Sequence, residues 1–484
     1  MAVFDPGRRR VLGMASAVAG ALIMPAARPR AAKAAAASVT LRAATARASL
    51  VGAPHPDTEV WSYNGTVPGP ELRVKQGDRL RVAVENALGE GTTIHWHGVR
   101  VPNAMDGVPH LTQAPIAANG GTFVYEFDAR DAGTYWYHPH SRSYEQVDRG
   151  LYGVLVVEER TPPRVDRDVV WVLDDWRLGK DAQIRDDFAD WFDVSHAGRI
   201  GNTVTVNGVV AESFDVRAGE RIRLRLVNAA NARIFSLEFR GHRPWIVALD
   251  AQAVEPHEPP GGQVVLGPSM RVDLVIDMDG QPRERHAVFD GFYRGRGYRL
   301  LDLAYSDAPR LRSNAGRAPL ALSPNPLPEP DLARAERHEM RMSGGMMSMD
   351  WPRDPWPGRA ARRMRQFFGS READPVWAMD GVAHTDENHA VPPAHTFERG
   401  TSVILRLRND TAWHHPMHLH GHVFRVLARN GQPTRFREWQ DTVLLGPREN
   451  ADIAFVADNP GDWMLHCHVL EHQAGGMMSV IRVT

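Results

Sequence analysis

Cysteine is almost absent: Cys467 is the only one in 484 residues. An intrachain disulfide is therefore excluded, and so is a structural zinc site, which asks for several cysteines. An excess of charge of either sign is lacking too. The formal net charge is −1 and no basic stripe runs along the chain, which excludes nucleic acid as a natural partner. Beyond the N-terminal segment no run is apolar and long enough to span a bilayer. What the chain has in quantity is turn formers, with 42 Gly and 35 Pro, a composition that favours a turn-rich β architecture. Its length suits two to four domains.

The N-terminus reads as an export signal over residues 1–37. Arg8-Arg9-Arg10-Val11-Leu12 precedes an apolar run to Met24 and alanine-rich sequence to Ala37. A charged start, a short apolar core and small residues make a cleavable signal rather than a stable membrane anchor. The paired arginines point to the twin-arginine route, whose passengers cross already folded. Removal of the segment takes Arg8, Arg9, Arg10, Arg28, Arg30 and Lys33 with only Asp5, leaving a more acidic chain.

The remainder repeats itself. Asn64-Gly65 leads to Leu72-Arg73-Val74 and then Gly77 to Asn86. Asn207-Gly208 leads to Phe214-Asp215-Val216 and then Gly219 to Asn228. Asp380-Gly381 leads to Arg399 to Asn409. Each copy ends in a strand of alternating apolar and charged residues, the period-two mark of a half-buried strand. Self-similarity on this scale predicts an all-β chain of three tandem β-sandwich domains of one kind, over 38–160, 161–305 and 376–484. Residues 306–375 read as a linker carrying a methionine-rich insert, Met340 to Met349, expected to be an exposed loop or short helix. The first and third copies also share their ends: Gly133 to His140 matches Gly461 to His468, with Pro139 standing where Cys467 stands. The second copy has neither histidines nor cysteine at these places and is expected to serve as a spacer.

The ends of those repeats carry the chemistry. Cys467 is flanked by His466 and His468 and followed by His472 and Met477. One thiolate, histidines and a thioether form the soft ligand set of a blue-copper centre. On a strand, His466 and His468 face one way and Cys467 the other, so the histidines serve a second metal site joined to the first by a short covalent path. Three further His-X-His pairs occur: His95 and His97, His138 and His140, His418 and His420, the last preceded by His415. Two histidines remain for the thiolate site and eight for a cluster of three coppers.

With these motifs the sequence resembles the multicopper oxidases, the family of laccases, ascorbate oxidase and bacterial copper-tolerance oxidases, over nearly its whole length after the signal. The resemblance implies cupredoxin-like Greek-key sandwiches and four copper ions. His415, Cys467 and His472, with Met477 axial in preference to Met478, would bind the type 1 copper. His95 and His418 would hold the type 2 copper. One type 3 copper would take His97, His138 and His468, and the other His140, His420 and His466. A reductant gives single electrons to the type 1 site; they pass through Cys467 to His466 and His468, and dioxygen is reduced to two waters. Asp106 sits where the family carries a proton-supplying acid, although an Asp before Gly107 is also an ordinary turn residue. Gln473 stands where some copper-tolerance members carry a glutamate.

The reductant stays open between Cu(I) and small phenolic or aromatic compounds. Thioethers suit Cu(I), so the 340–349 tract suggests a cuprous oxidase serving copper tolerance in the periplasm. Trp413 instead suggests stacking of an aromatic substrate. His384, His389 and His395 read as incidental loop histidines. The expected working unit is a monomer, with dioxygen as the other partner. A copper-free scaffold or a copper store without turnover are the rivals, and the intact ligand motifs oppose both.

Overall fold

In the computed structural model, residues 36–314, 317–347, 375–384, 389 and 391–484 are described. All of the expected signal but Ala36 and Ala37, and the last methionine of the tract, Met349, lie outside these residues. The chain is nearly all β-structure, arranged as three sandwiches.

The same strand order recurs in one sheet of each sandwich. In the first, Thr58–Tyr63, Ala36–Ala48, Arg79–Asn86 and Gly121–Asp128 lie side by side. In the second, the order begins Thr203–Val206, Arg167–Trp176, Arg221–Asn228, Arg271–Asp277. In the third, it begins Trp377–Met379, Glu336–Gly344, Ser402–Asn409, Asn450–Val456. Each time the second and third strands run parallel, with Val39 opposite Val82, Val172 opposite Val227 and Met340 opposite Leu407. A parallel pair needs a long crossover rather than a hairpin, and here the crossover passes through the facing sheet, as in a Greek key.

This register corrects the expectation for the methionine tract. Met340 and Met342 are not in a loop; they lie on a strand of the third sandwich, with exposures of 0%. Spaced by two, they point to one face, and they pack with Leu405, Leu407 and Trp377 in the core. Flanking Arg and Glu residues disguised an alternating strand as a polar loop. Among the described methionines of the tract, only Met346 and Met347 reach solvent, at 36% and 65% exposure.

The facing sheets carry the histidine motifs. In the first sandwich His95–His97 pairs with Gly133–His138, placing His95 opposite His138. In the third, His415–Leu419 pairs with Gly461–Cys467, placing His418 opposite His466 and Met417 opposite Cys467. A separate apolar cluster knits the sandwiches together, with Trp136 and Tyr152 of the first, Trp176 and Val227 of the second, and Leu470 and Ala474 of the third.

Candidate metal centre

All ten motif histidines and Cys467 are buried, and they gather in two places. At the first, His415 Nδ1 is 3.4 Å from Cys467 Sγ, His472 Nδ1 is 3.7 Å from the same sulfur, and the two nitrogens are 3.1 Å apart. The outer ring nitrogens are fixed from behind. His472 Nε2 donates to the carbonyl of His196 at 2.7 Å, and His415 Nε2 lies 2.7 Å from Thr411 Oγ1. A carbonyl only accepts, so His472 presents a bare lone pair at Nδ1 toward the sulfur. Burial pushes the Cys467 thiol up and the His472 imidazole down to about 3. A soft cation would draw the thiol into its thiolate form.

Met477 belongs to the same core cluster as Cys467, whereas Met478 packs with Val108 and Met464 in another. Trp377, which sequence reasoning passed over, lies against both rings, 5.2 Å from His415 and 4.3 Å from His472 between centroids.

The other eight histidines meet between the first and third sandwiches. His420 Nε2 faces His466 Nε2 at 3.1 Å, and His138 Nε2 faces His468 Nε2 at 3.4 Å. The far nitrogens again donate to oxygens: His466 to the carbonyl of Cys467 at 2.9 Å, His138 to that of Pro139 at 3.0 Å, and His420 to Asp106 Oδ2 at 2.9 Å. His420 and His466 therefore turn lone pairs toward each other, a repulsive arrangement unless a cation sits between them. His95 Nε2, His97 Nδ1, His418 Nε2 and both nitrogens of His140 are buried without a hydrogen-bond partner. Leaving such groups unpaired costs about 1–3 kcal/mol each. Two of the triads close enough to share an ion are His415, Cys467 and His472, and His140, His420 and His466. The donor set is imidazole and thiolate, which suits copper.

Asp106 is fully buried. Its carbonyl accepts from His95 Nδ1 at 2.9 Å and its carboxylate from His420, so this one residue steadies a histidine from the first sandwich and one from the third. Glu471, beside His472, is buried as well; it accepts from Asn231 Nδ2 at 2.9 Å, and burial pushes its carboxyl up to about 7. Among the scattered histidines, His389 is buried with its ring 5.9 Å from that of His140, so it is no surface residue. Asp441 escaped notice in the sequence. It is buried behind His97 and His418, with Oδ1 3.2 Å from His97 Nε2 and its carbonyl accepting from His418 Nδ1 at 2.9 Å.

Known proteins are similar to this chain in sequence and fold. Three family models, each described as multicopper oxidase, match residues 45–162, 167–296 and 365–484. A multicopper oxidase of Mycobacterium tuberculosis is 31% identical, covering 91% of this chain and 86% of that protein. Copper resistance protein A of Escherichia coli is 26% identical, covering 87% of this chain and 89% of its own length. The crystal structure of a multi-copper oxidase from Pseudomonas thermotolerans superposes with a TM-score of 0.81 at 34% identity, covering 93% of this chain and all of that one. With three family models matching the three sandwiches and a relative 31% identical over 91% of its length, the chain belongs to the multicopper oxidase family.

Proposed function

We propose that this oxidase carries four coppers and couples one-electron oxidation of small, electron-rich aromatic compounds to reduction of dioxygen to water. The observation that carries the copper count is the set of inward lone pairs described above. His415, Cys467 and His472, with Met477 nearby, would hold the type 1 ion. His95 and His418 would hold the type 2 ion. His97, His138 and His468, and His140, His420 and His466, would hold the type 3 pair. Copper bound there would supply one-electron redox chemistry at the thiolate and dioxygen reduction at the cluster. The chain supplies the connection, since Cys467 is bonded through its backbone to both His466 and His468. It also supplies a buried carboxylate, Asp106, at hydrogen-bond distance from the cluster and suited to proton delivery. Every ligand residue is buried.

The aromatic reductant is supported by the surface over His472. The His196 carbonyl that accepts the hydrogen bond from His472 Nε2 belongs to a residue whose ring stacks on Phe192, centroids 3.9 Å apart and planes 18° apart. Phe192 is 64% exposed. Trp413 meets His196 edge-on at 5.3 Å. An exposed aromatic shelf within one hydrogen bond of the type 1 ligands suits a flat donor.

A second reading, Cu(I) as reductant and a role in copper tolerance, is favoured by Met346 and Met347. Their thioethers are exposed, and the Met346 backbone bonds both Ser195 and the Trp413 indole. The related copper resistance protein agrees with this reading, whereas the inward turn of Met340 and Met342 removes half of the described thioethers from service. The paired arginines at Arg8 and Arg9 support export to the periplasm by the twin-arginine route, and among the described residues no helix is long and apolar enough to cross a membrane. We place the working unit as a monomer, each chain holding the complete ligand set.

Metal analysis with visible and electron-paramagnetic-resonance (EPR) spectra of the copper-loaded protein tests the site. A blue band with separate type 1 and type 2 signals is the expected result. A colourless protein that binds no copper would return the chain to a scaffold.

A further inference from the structure

We infer that the second sandwich, which holds no copper ligand, sets the orientation of two cluster histidines through a buried ionic array running from Asp250 through Arg271 to Asp441. The inference rests on His97 and His418 being ligands, as proposed above.

Arg271, Asp250 and Asp441 have exposures of 1%, 0% and 0%. Arg271 opens the strand Arg271–Asp277, and Asp250 follows the strand Trp245–Leu249, both in the second sandwich. Asp441 lies in the third, just before Thr442–Leu445. Arg271 meets the Asp441 carboxylate with both prongs of its guanidinium, Nη1 donating to Oδ1 at 2.9 Å and Nη2 to Oδ2. Two further donors go to the carbonyls of Ser269 at 3.1 Å and Thr134 at 3.2 Å. Asp250 clamps the backbones on either side, accepting from the N–H of Arg271 at 3.0 Å and that of Thr442 at 3.1 Å.

The far side of Asp441 faces the metal centre. Its Oδ1 is 3.2 Å from His97 Nε2 and accepts from Thr442 Oγ1 at 2.9 Å. Its carbonyl accepts from His418 Nδ1 at 2.9 Å. An acceptor at His97 Nε2 turns the Nδ1 lone pair inward, and an acceptor at His418 Nδ1 leaves Nε2 inward; those are the two nitrogens found without partners. The two rings are stacked, centroids 3.7 Å apart, so turning one turns the other. His97, His418 and Asp441 offer ligand atoms within 4.8 Å of one another, yet the carboxylate is no open ligand, because both oxygens are committed to Arg271. A buried carboxylate persists as an anion only when paired and hydrogen-bonded, and Arg271 is the group that pairs it.

The first sandwich makes room for this contact. Gly98, directly after His97, has φ +82°, and a Cβ there would overlap the Asp441 carboxylate and the Arg271 guanidinium. All three sandwiches therefore meet at one point behind the cluster, and the cation comes from the one without ligands. Arg271 and Asp441 are positioning residues.

Two variants test this. Asp441→Asn leaves Arg271 beside Asp250, whose Oδ1 is 3.3 Å from Nη1. Arg271→Lys keeps the charge and loses the two-pronged fork. The readouts are copper per chain, the type 2 EPR signal and resistance to a chelator, with the blue absorption as control. Both variants should stay blue while their type 2 signal is lost or altered, and their copper affinity at the cluster should fall roughly 10–100-fold. Unchanged type 2 signal, copper content and chelator resistance in both would overturn the inference. Loss of the blue band along with the type 2 signal would also overturn it, showing general collapse instead of positioning. A parent protein without blue colour would defeat the ligand assignment beneath it.

Discussion

His472 Nε2 donates a hydrogen bond to the backbone carbonyl of His196, 2.7 Å away. One bond thus joins a ring of the thiolate site, in the third sandwich, to the end of the short helix Trp191–Ser195 of the second. It orients the imidazole and brings a surface shelf within reach of the buried metal site.

Phe192→Ala should therefore weaken binding of a dimethoxyphenol. Aromatic pairs contribute about 0.5–1.5 kcal/mol beyond area burial, so KM should rise roughly two- to tenfold while kcat changes little. Steady-state oxygen uptake measures this, and an unchanged KM would move the docking site elsewhere.

Cys467→Ser removes the thiolate but none of the eight cluster histidines. The variant should lose blue colour and turnover together while keeping most of its cluster copper. A still-blue variant would contradict the type 1 assignment.

Asp106→Asn keeps an oxygen for His420 and removes the acid. Proton transfer by a placed side chain contributes about 10²–10⁴-fold. Turnover should drop toward that range with the blue band intact, and activity equal to the parent's would leave Asp106 as a bridge between His95 and His420 alone.

Copper-free protein should be acid-sensitive. Burial lowers the basicity of His97, His138, His140, His415, His418, His420, His466, His468 and His472. Below about pH 6.5 the unfolded chain takes up protons that these folded rings refuse, so stability falls as pH falls. Asp148 and Glu471 act the other way. Burial raises them to about 6 and about 7, so the folded state holds their protons more tightly and gains as pH drops. Burial raises the carboxyls of Asp174, Asp193 and Asp250 as well, and nine imidazoles outweigh these five carboxyls. Calorimetry from about pH 7 to about pH 5 should show the copper-free Tm falling steeply and the copper-bound Tm much less, because bound metal keeps the rings neutral. A flat copper-free profile would contradict the burial argument.

The histidine pairs and Cys467 were legible in the sequence from their spacing of two, although only His95 and His97 lie wholly within one strand, while His140, His420 and His468 stand just past the ends of theirs. The sandwich repeat was legible for the same reason, from alternation in runs such as Arg79–Asn86 and Ser402–Asn409. What escaped depends on contacts between distant segments. Asp441 and Arg271 look like ordinary charged residues of alternating strands, and only the meeting of three sandwiches buries them together. Phe192 and His196 gain meaning only because a helix of the second sandwich leans on the third. Met340 and Met342 were misread because their charged neighbours point outward from an edge-proximal strand, as the pairing with Ser402–Asn409 makes plain.

The central claim is that a thiolate site oxidises aromatic donors one electron at a time and a cluster consumes dioxygen completely. Oxygen uptake by the copper-loaded protein with a simple dimethoxyphenol, with peroxide measured in the same vessel, tests it most directly. The account predicts uptake of one dioxygen for every four donor molecules oxidised, with no peroxide. Uptake with Cu(I) alone would replace the aromatic reductant, and no uptake with either would contradict the account.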